Sequence, residues 1–169
     1  MAAADDDFKL GFLSTVALPG GGFVGGLLVT NRHGRPLEFQ CTTPVKPTKS
    51  QEILFGEMLQ PYLLGEVIAE TLVRKAAVKP DIVLTEDDAV LEVRSHIDKP
   101  AGLVFESPAQ DADSIQVGRQ RLRFHDGHRS DRDLVSDRAA AIHAAVDMTE
   151  PFRRVREALE ETAKASATR

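Results

Sequence analysis

The stretch LPGGGFVGGLLVTN, residues 18–31, decides how the first third of the chain folds. Its Gly20, Gly22 and Gly25 have the G-x-G-x-x-G spacing of a dinucleotide-binding loop. Such a loop lies between a strand and a helix whose amino-terminal amides face the pyrophosphate. Here the glycines precede LLVTN, which is too short and too rich in strand-forming residues to begin that helix. The glycines therefore predict a turn between two strands, with a mobile loop over a ligand as the alternative.

Three segments around this turn are rich in Phe, Leu, Val and Thr and have the composition of strands: residues 9–18, 23–31 and 36–45. In the third segment, Leu37, Phe39 and Cys41 alternate with polar residues, which is the period of a half-buried strand. Together the segments predict an antiparallel meander. The alternation also predicts a buried, unreactive Cys41 thiol, because a nucleophilic thiol would need a nearby cation or a histidine such as His33.

Helical periodicity follows the meander. Ser50 is a candidate N-cap for a helical segment over residues 51–78. Apolar residues that include Ile53 and Met58 recur there at three- and four-residue steps, which predicts a helix. Pro61 removes a backbone donor inside the segment and clashes one turn back, so we expect two helical pieces.

A strand–helix–strand unit comes next. After Pro80, DIVLT is the continuous apolar run of a strand buried on both faces, and residues 85–88 match a capping box for a helix over residues 87–96. Residues 101–107 predict the next parallel strand. Beyond it the pattern predicts a hairpin over residues 114–124, a polar loop over residues 125–138 and a final helix over residues 149–162 with Phe152, Val155 and Leu159 on its apolar stripe.

These elements predict an α/β fold with a mixed sheet: three antiparallel strands, then helix, strand, helix, strand and a C-terminal helix. Over residues 9–107 this order resembles the ribonuclease H-like fold. A chain of 169 residues with 42% hydrophobic content can bury one core, so we expect a single domain over residues 8–162. The small, acidic residues 1–7 and the Ala-, Ser- and Thr-rich residues 163–169 predict disordered tails.

The ribonuclease H-like resemblance implies a place for each acid of a metal-dependent nuclease. Such enzymes bring together acids from the first strand, the first helix, the end of the fourth strand and a late position, so that two metal ions clamp the phosphate. The corresponding places here offer Glu57, Asp87 and Glu150, but the first strand, KLGFLSTVAL, contains no acid. The resemblance therefore implies an incomplete acidic site, unless a carboxylate from residues 5–7 folds inward beside the others.

A second resemblance covers residues 25–56. The stretch GGLLVTNRHGRPLEFQCTTPVKP, followed by QEILFG, is similar to an uncharacterised bacterial protein family. This resemblance implies no activity and no site residues.

Two polar clusters in the second half are candidate ligand sites. HDGHRSD places His125 and His128 three residues apart beside Asp126 and Asp131, a set of nitrogen and oxygen donors that could bind Zn²⁺ or another divalent ion. Solvation of this polar stretch is the alternative. Three arginines at every second position would share one face of a strand and could grip a phosphate or carboxylate, with mutual salt bridges as the alternative: Arg119, Arg121 and Arg123.

Composition narrows the classes of function. The formal net charge of -5 and the pI near 5.5 disfavour a nucleic-acid partner, which normally requires a basic face. A single cysteine excludes an internal disulfide and fits a reducing compartment. Because no apolar run approaches the roughly 20 residues of a membrane span and the start does not resemble a signal peptide, we expect a soluble, cytoplasmic protein.

No assembled set of acid, base, nucleophile or metal ligands is evident in the sequence. We therefore expect a non-catalytic α/β module without a cofactor, which binds another protein or forms a homodimer. Two alternatives stay open. One is a metal-dependent phosphodiester hydrolase with Glu57 and Asp87 as metal ligands, and the other is a small-ligand sensor with the glycine turn as its lid.

Overall fold

The computed structural model describes residues 8–107 and 113–167. The acidic segment at residues 1–7, for which the composition predicts a tail, lies outside these ranges, as do residues 168 and 169. Within the described part of the chain, no helix has both the length and the apolar character needed to cross a membrane.

The described residues form one mixed sheet of seven strands. In chain order these are β1 (Leu10–Ala17), β2 (Phe23–Thr30), β3 (Pro36–Cys41), β4 (Ile82–Thr85), β5 (Ala101–Phe105), β6 (Ser114–Val117) and β7 (Gln120–Phe124). Their order across the sheet is β3-β2-β1-β4-β5-β7-β6, with β1, β4 and β5 parallel and each other neighbouring pair antiparallel. This topology confirms the predicted α/β fold class, and its first five strands have the ribonuclease H-like order.

The glycine-rich stretch forms the turn between β1 and β2, as the sequence predicts. The two strands pair in an unbroken register that ends where Ala17 faces Phe23. Gly21 and Gly22 have φ angles of 94° and 84°, in the region that favours glycine. The Leu18 amide donates to the Gly22 carbonyl at 2.9 Å and closes the turn.

Helices cover both faces of the sheet. In chain order the helical elements are α1 (Lys49–Phe55), a 3-10 helix (Gly56–Met58), a π-helix (Pro61–Ala69), α2 (Glu70–Lys75), α3 (Asp88–Leu91), two 3-10 helices (Glu92–Ser95 and Asp126–His128), α4 (Asp131–Ala139) and α5 (Glu150–Ala167). Pro61 is the first residue of the π-helix, where its missing N–H costs no hydrogen bond. The two predicted helical pieces are present, but the break between them lies at Gly56, whose φ of 52° and ψ of −123° are not helical. The backbone is helical at Leu59 and Gln60, so Pro61 lies near the start of the second piece and does not divide the segment.

The N-cap of the helical segment lies two residues before the predicted one. Thr48 is the N-cap of α1: its Oγ1 accepts from the Gln51 amide at 3.1 Å, and its amide donates to the Gln51 side chain at 3.0 Å. This reciprocal pair is a capping box. Ser50, the predicted cap, lies inside α1, so that prediction was wrong.

The core has two layers, one on each face of the sheet. Successive residues of β1 point to opposite faces, so that Phe12 packs against α5 while Leu13 packs beneath the π-helix and α2. The Phe12 and Phe152 rings meet edge to face, with 5.2 Å between their centroids. Phe152, Val155 and Leu159 are fully buried, which confirms the predicted apolar stripe of the last helix. That helix continues to Ala167, into the segment whose composition predicts a tail.

The predicted polar loop at residues 125–138 is wrong. This segment forms a 3-10 turn and then α4, whose Val135 and Ala139 are buried. Asp131 is also buried and pairs with Arg94 from the Glu92–Ser95 turn. The sequence of this segment is typical of a loop because half of its residues are charged, yet one buried ion pair and two apolar residues hold the helix against the domain.

Candidate functional site

The carboxyl ends of β1 and β4 lie side by side, because these strands are parallel neighbours. Where parallel strands end, α/β folds commonly form their ligand clefts. An open cleft of about 400 Å³ occupies this edge. Its polar lining consists of Ser14, Thr15, Thr85, Glu86, Asp87, Asp88 and Arg156.

Each acid of this cleft already has a partner in the fold. Asp87 is the N-cap of α3, and its Oδ1 accepts from the Ala89 amide at 2.9 Å. Glu86 accepts from Arg156 at 3.1 Å. Asp88 pairs with a guanidinium of β7. The three exposed carboxylates are therefore divided among a helix cap and two arginines.

The residues of this edge do not fit the two-metal centre that the fold family implies. Phe12 of β1 pairs with Leu84 of β4. Ser14 lies two residues after Phe12, and Glu86, the first of the three consecutive acids, lies two residues after Leu84, so Ser14 is the residue that β1 places beside these acids. It offers a hydroxyl, not the carboxylate that a divalent ion prefers. In the described ranges, no group of three or more His, Cys, Asp or Glu side chains is arranged to hold a metal ion.

The structure does not bring the predicted nuclease acids together. Glu57 lies on the exposed 3-10 turn after α1 and is not among the residues that line the cleft with Asp87. Glu150 begins α5 and pairs with Arg154 at 2.8 Å. Any contribution from residues 5–7 lies outside the described ranges.

The histidine cluster is also dispersed. His125 Nδ1 accepts from the Gly127 amide at 3.0 Å, and its Nε2 lies 3.1 Å from a Glu92 carboxylate oxygen, so both ring nitrogens are engaged. Asp126 is exposed, and Asp131 is turned into the core. The His128 ring is 5.5 Å from the His125 ring, centroid to centroid. The predicted metal set therefore does not converge on one point.

Glu92 is the anion that orients His125. Burial opposes its ionisation, but hydrogen bonds from Ser95 and His125 and the positive charge of nearby histidines outweigh that effect and hold the pKa of Glu92 below its usual range. Because Nδ1 accepts from the Gly127 amide, Nε2 is the ring nitrogen that donates to this carboxylate.

The three candidate arginines make contacts within the protein. Arg119 lies in the β6–β7 turn and pairs with Asp147 at 3.2 Å. Arg121 donates through Nε to Ser114 Oγ at 2.6 Å, and Arg123 pairs with Asp88. Arg121 and Arg123 share a face of β7, as their spacing predicts, while Arg119 precedes the strand. These contacts agree with the salt-bridge alternative to a ligand site.

The Cys41 thiol is exposed, so the prediction of a buried cysteine was wrong. β3 is the edge strand, and Leu37 and Phe39 on the same face remain 41% and 37% exposed. The alternating apolar residues correctly indicated a strand. They did not show that β3 lies at an edge of the sheet, where no further strand pairs with it. His33, the only partner that the sequence suggested, precedes β3 while Cys41 ends it.

Sequence reasoning missed the most exposed apolar surface among the described residues. Ile53, Leu54 and Met58 are 69%, 82% and 61% exposed, and we call these three side chains the α1 face. α1 itself contains no buried residue. Helical periodicity predicts the helix that carries Ile53, but a period identifies a face of a helix and does not show what covers that face.

A stack of two aromatic rings holds α1 against the domain at its carboxyl end. Phe55, at the end of α1, stacks on Tyr62 with ring centroids 4.1 Å apart and planes inclined by 13°. Tyr62 and Leu59 in turn pack against the core beneath the π-helix. The helix is thus fixed to the domain by its carboxyl end, while its apolar side chains face solvent.

Comparison with known proteins does not assign this chain to a family. No family model matches the chain, and no curated relative matches it. Among solved structures, an Endonuclease V from Ciona intestinalis, in complex with a 23mer DNA that contains an inosine followed by a ribo-adenosine, aligns with a TM-score of 0.37 and 15% sequence identity. The alignment covers 63% of this chain and 48%, or about half, of the endonuclease chain. Similarity at this level assigns no activity to this chain.

Proposed function

We propose that this protein is a non-catalytic ribonuclease H-like module that binds a protein through the α1 face. The observation that carries the proposal is the exposure of Ile53 and Leu54 on α1 and of Met58 on the 3-10 turn that follows it, two elements that bury none of their own residues. Isolated apolar side chains are common on protein surfaces, but a cluster on one projecting element is typical of interaction sites.

The energetic reason for a partner is the apolar surface itself. Transfer of one such side chain from water to a packed interface is worth about 1.5–3 kcal/mol. Within the described fold, Ile53, Leu54 and Met58 remain mostly exposed and gain only a minor part of this free energy. A partner that covered all three would recover it, and the fixed orientation of α1 would lower the cost of ordering the surface.

The carboxyl edge supports a non-catalytic role. Its acids are occupied by a helix cap and two arginines, and β1 supplies Ser14 where a nuclease would place an acid. An incoming metal ion would have to displace Arg156 from Glu86 and Arg123 from Asp88, and would find no carboxylate on β1.

The test compares the free energy of unfolding of a variant with polar residues at the α1 face with that of a core variant. A variant with Ile53→Ser, Leu54→Ser and Met58→Ser should unfold in urea with a free energy within about 0.5 kcal/mol of the unmodified protein, since these side chains are not part of the core. The matched core variant Leu64→Ala, at a side chain that is 2% exposed, should lose about 2–5 kcal/mol. If the triple variant loses as much as the core variant, the α1 face belongs to the fold and the proposal is wrong.

A further inference from the structure

A basic pocket lies at the edge of the sheet opposite the acidic cleft, where the parallel strands β4 and β5 begin. It is open to solvent and has a volume of about 680 Å³. Its walls come from the end of α2 and from the two segments that precede β4 and β5. We infer that this pocket binds a small organic anion, a carboxylate or a phosphate with an apolar body. The inference does not depend on the α1 face.

The floor of the basic pocket is apolar and fixed by the fold. Val73 is 7% exposed, Pro80 is buried, and Ile97 packs against the core layer beneath the π-helix and α2. Arg94 donates to the Ile97 carbonyl at 2.8 Å and holds that segment in place. Sites for small molecules are usually preformed pockets of roughly 300–1,000 Å³ with apolar walls and a few polar groups, and this pocket agrees with that description.

Lys79 holds a positive charge at a fixed place on the rim. Its Nζ donates to the Val73 carbonyl at 3.0 Å and to the Arg74 carbonyl at 2.8 Å. These bonds satisfy carbonyl groups at the end of α2, which have no partner within the helix. They use two of the three N–H groups of the ammonium, so that one is left to donate to a ligand.

Lys99 supplies a second positive charge, which the fold does not use. Its side chain is exposed and makes no hydrogen bond or ion pair with another described residue. Arg74 also lines the pocket, but Glu70 lies 2.5 Å from it and supplies its counter-charge. Lys79 and Lys99 therefore face the exposed carboxylate of Asp98, with a positive charge in excess at the rim of a chain whose net charge is -5. An anionic group is the complementary ligand.

The pocket predicts the two parts of the ligand. A carboxylate or phosphate accepts strong, charge-assisted hydrogen bonds from ammonium groups, so the anionic end belongs at Lys79 and Lys99. The apolar body then covers Val73, Pro80 and Ile97 and removes their surface from water. Neither part alone gains both contributions, so a short anion and a neutral apolar molecule should each bind more weakly than a molecule that combines them.

Titration of the whole protein with octanoate, followed by amide chemical shifts in nuclear magnetic resonance, tests the inference. Octanoate should give saturable shifts centred on Ile97 and Lys99. Acetate has the same anionic group and 1-octanol has the same chain, and each should bind at least about tenfold more weakly. Octyl phosphate in place of octanoate shows which anionic group the two lysines prefer, and saturable binding of either at this pocket supports the inference.

Charge reversal tests the role of the lysine. Lys99→Glu should keep the fold, because the side chain is exposed, and should weaken octanoate binding by about tenfold or more, because it replaces attraction by repulsion. The matched control is Arg153→Glu, the same change of charge at an exposed position of α5 on the other face of the sheet, and it should leave binding unchanged. The triple-serine variant of the α1 face should also bind octanoate as the unmodified protein does.

Three results would overturn the anion site. They are the absence of saturable shifts up to roughly 10 mM octanoate or octyl phosphate, equal weakening by Lys99→Glu and Arg153→Glu, and loss of octanoate binding in the triple-serine variant. None of them bears on the stability of the triple-serine variant, which is the test of the proposed function. The two proposals can therefore fail separately.

Discussion

The Arg94 guanidinium and the Asp131 carboxylate form a buried, two-point ion pair. Arg94 Nε lies 2.7 Å from Asp131 Oδ2, and the terminal nitrogen NH2 of Arg94 lies 3.3 Å from Oδ1. The two side chains are only 14% and 2% exposed. A third nitrogen of Arg94 donates to the Ile97 carbonyl at 2.8 Å. This pair joins α4, which the sequence predicts as a loop, to the 3-10 turn after α3.

Loss of either charge of this ion pair should lower the free energy of unfolding. Asp131→Asn leaves a buried guanidinium without its counter-charge, so we expect a loss of about 3–5 kcal/mol in the free energy of unfolding. Urea denaturation followed by circular dichroism measures it. The control is Asp137→Asn, at an exposed position of the same helix, with an expected change within about 0.5 kcal/mol. A loss below about 1 kcal/mol for Asp131→Asn would show that the pair does not hold α4 in place.

Glu38 should make the fold sensitive to acid. Hydrogen bonds from the Val78 amide at 2.6 Å, from the Gln40 side chain at 2.7 Å and from the Ala77 amide at 3.1 Å hold the pKa of Glu38 below its ordinary value of 4.5. Because the pKa is lower in the folded than in the unfolded chain, ionised Glu38 stabilises the fold above about pH 4.5. That contribution is lost as the pH falls through the folded pKa.

Glu38→Gln isolates this contribution. The variant should be less stable than the unmodified protein at neutral pH, and the difference should shrink as the pH falls below about 4.5. Urea unfolding at a series of pH values gives the difference directly. Glu161→Gln, at an exposed carboxylate of α5, should show no such trend. A difference for Glu38→Gln that is constant with pH would contradict the assignment.

Gly25 should tolerate no side chain, although the fingerprint spacing would assign it to phosphate binding. A Cβ at Gly25 would lie 2.2 Å from Ile68 Cγ2 and 3.2 Å from Leu72 Cδ1, so the glycine allows β2 to approach the π-helix and α2. We expect Gly25→Ala to cost about 1–3 kcal/mol in thermal or urea unfolding. Gly20→Ala, where nothing lies within 4 Å of the added Cβ, should change stability by less than about 0.5 kcal/mol. Equal effects at the two glycines would argue against this packing role.

The strand order could be predicted because its signals are local. The glycine turn between β1 and β2, the uninterrupted apolar run of β4 and the place of Pro61 near the start of a helical piece each follow from backbone chemistry within a few residues. Parallel strands joined by a helix then leave few topologies. These features together specify the ribonuclease H-like order before any contact is known.

The wrong predictions concern contacts between residues that are far apart in the sequence. Cys41 and Ile53 lie on alternating or periodic faces, but whether such a face is buried depends on which element covers it. Asp131 belongs to a charged run, and its pairing with Arg94, 37 positions earlier, helps to hold α4 against the domain. The same reason explains why the sequence could not show that the candidate nuclease acids are separated. Spacing along the chain does not reveal that Asp87 caps a helix or that Glu57 lies outside the cleft.

The proposed non-catalytic role requires that the carboxyl edge of β1 and β4 is not a metal-dependent reaction centre. Calorimetric titration of the whole protein with Mn²⁺, alongside Asp87→Asn and the exposed control Asp98→Asn, tests it directly. We predict no saturable binding at millimolar metal for any of the three proteins. Saturable binding that Asp87→Asn abolishes and Asp98→Asn preserves, together with Mn²⁺-dependent cleavage of a phosphodiester substrate, would contradict the account.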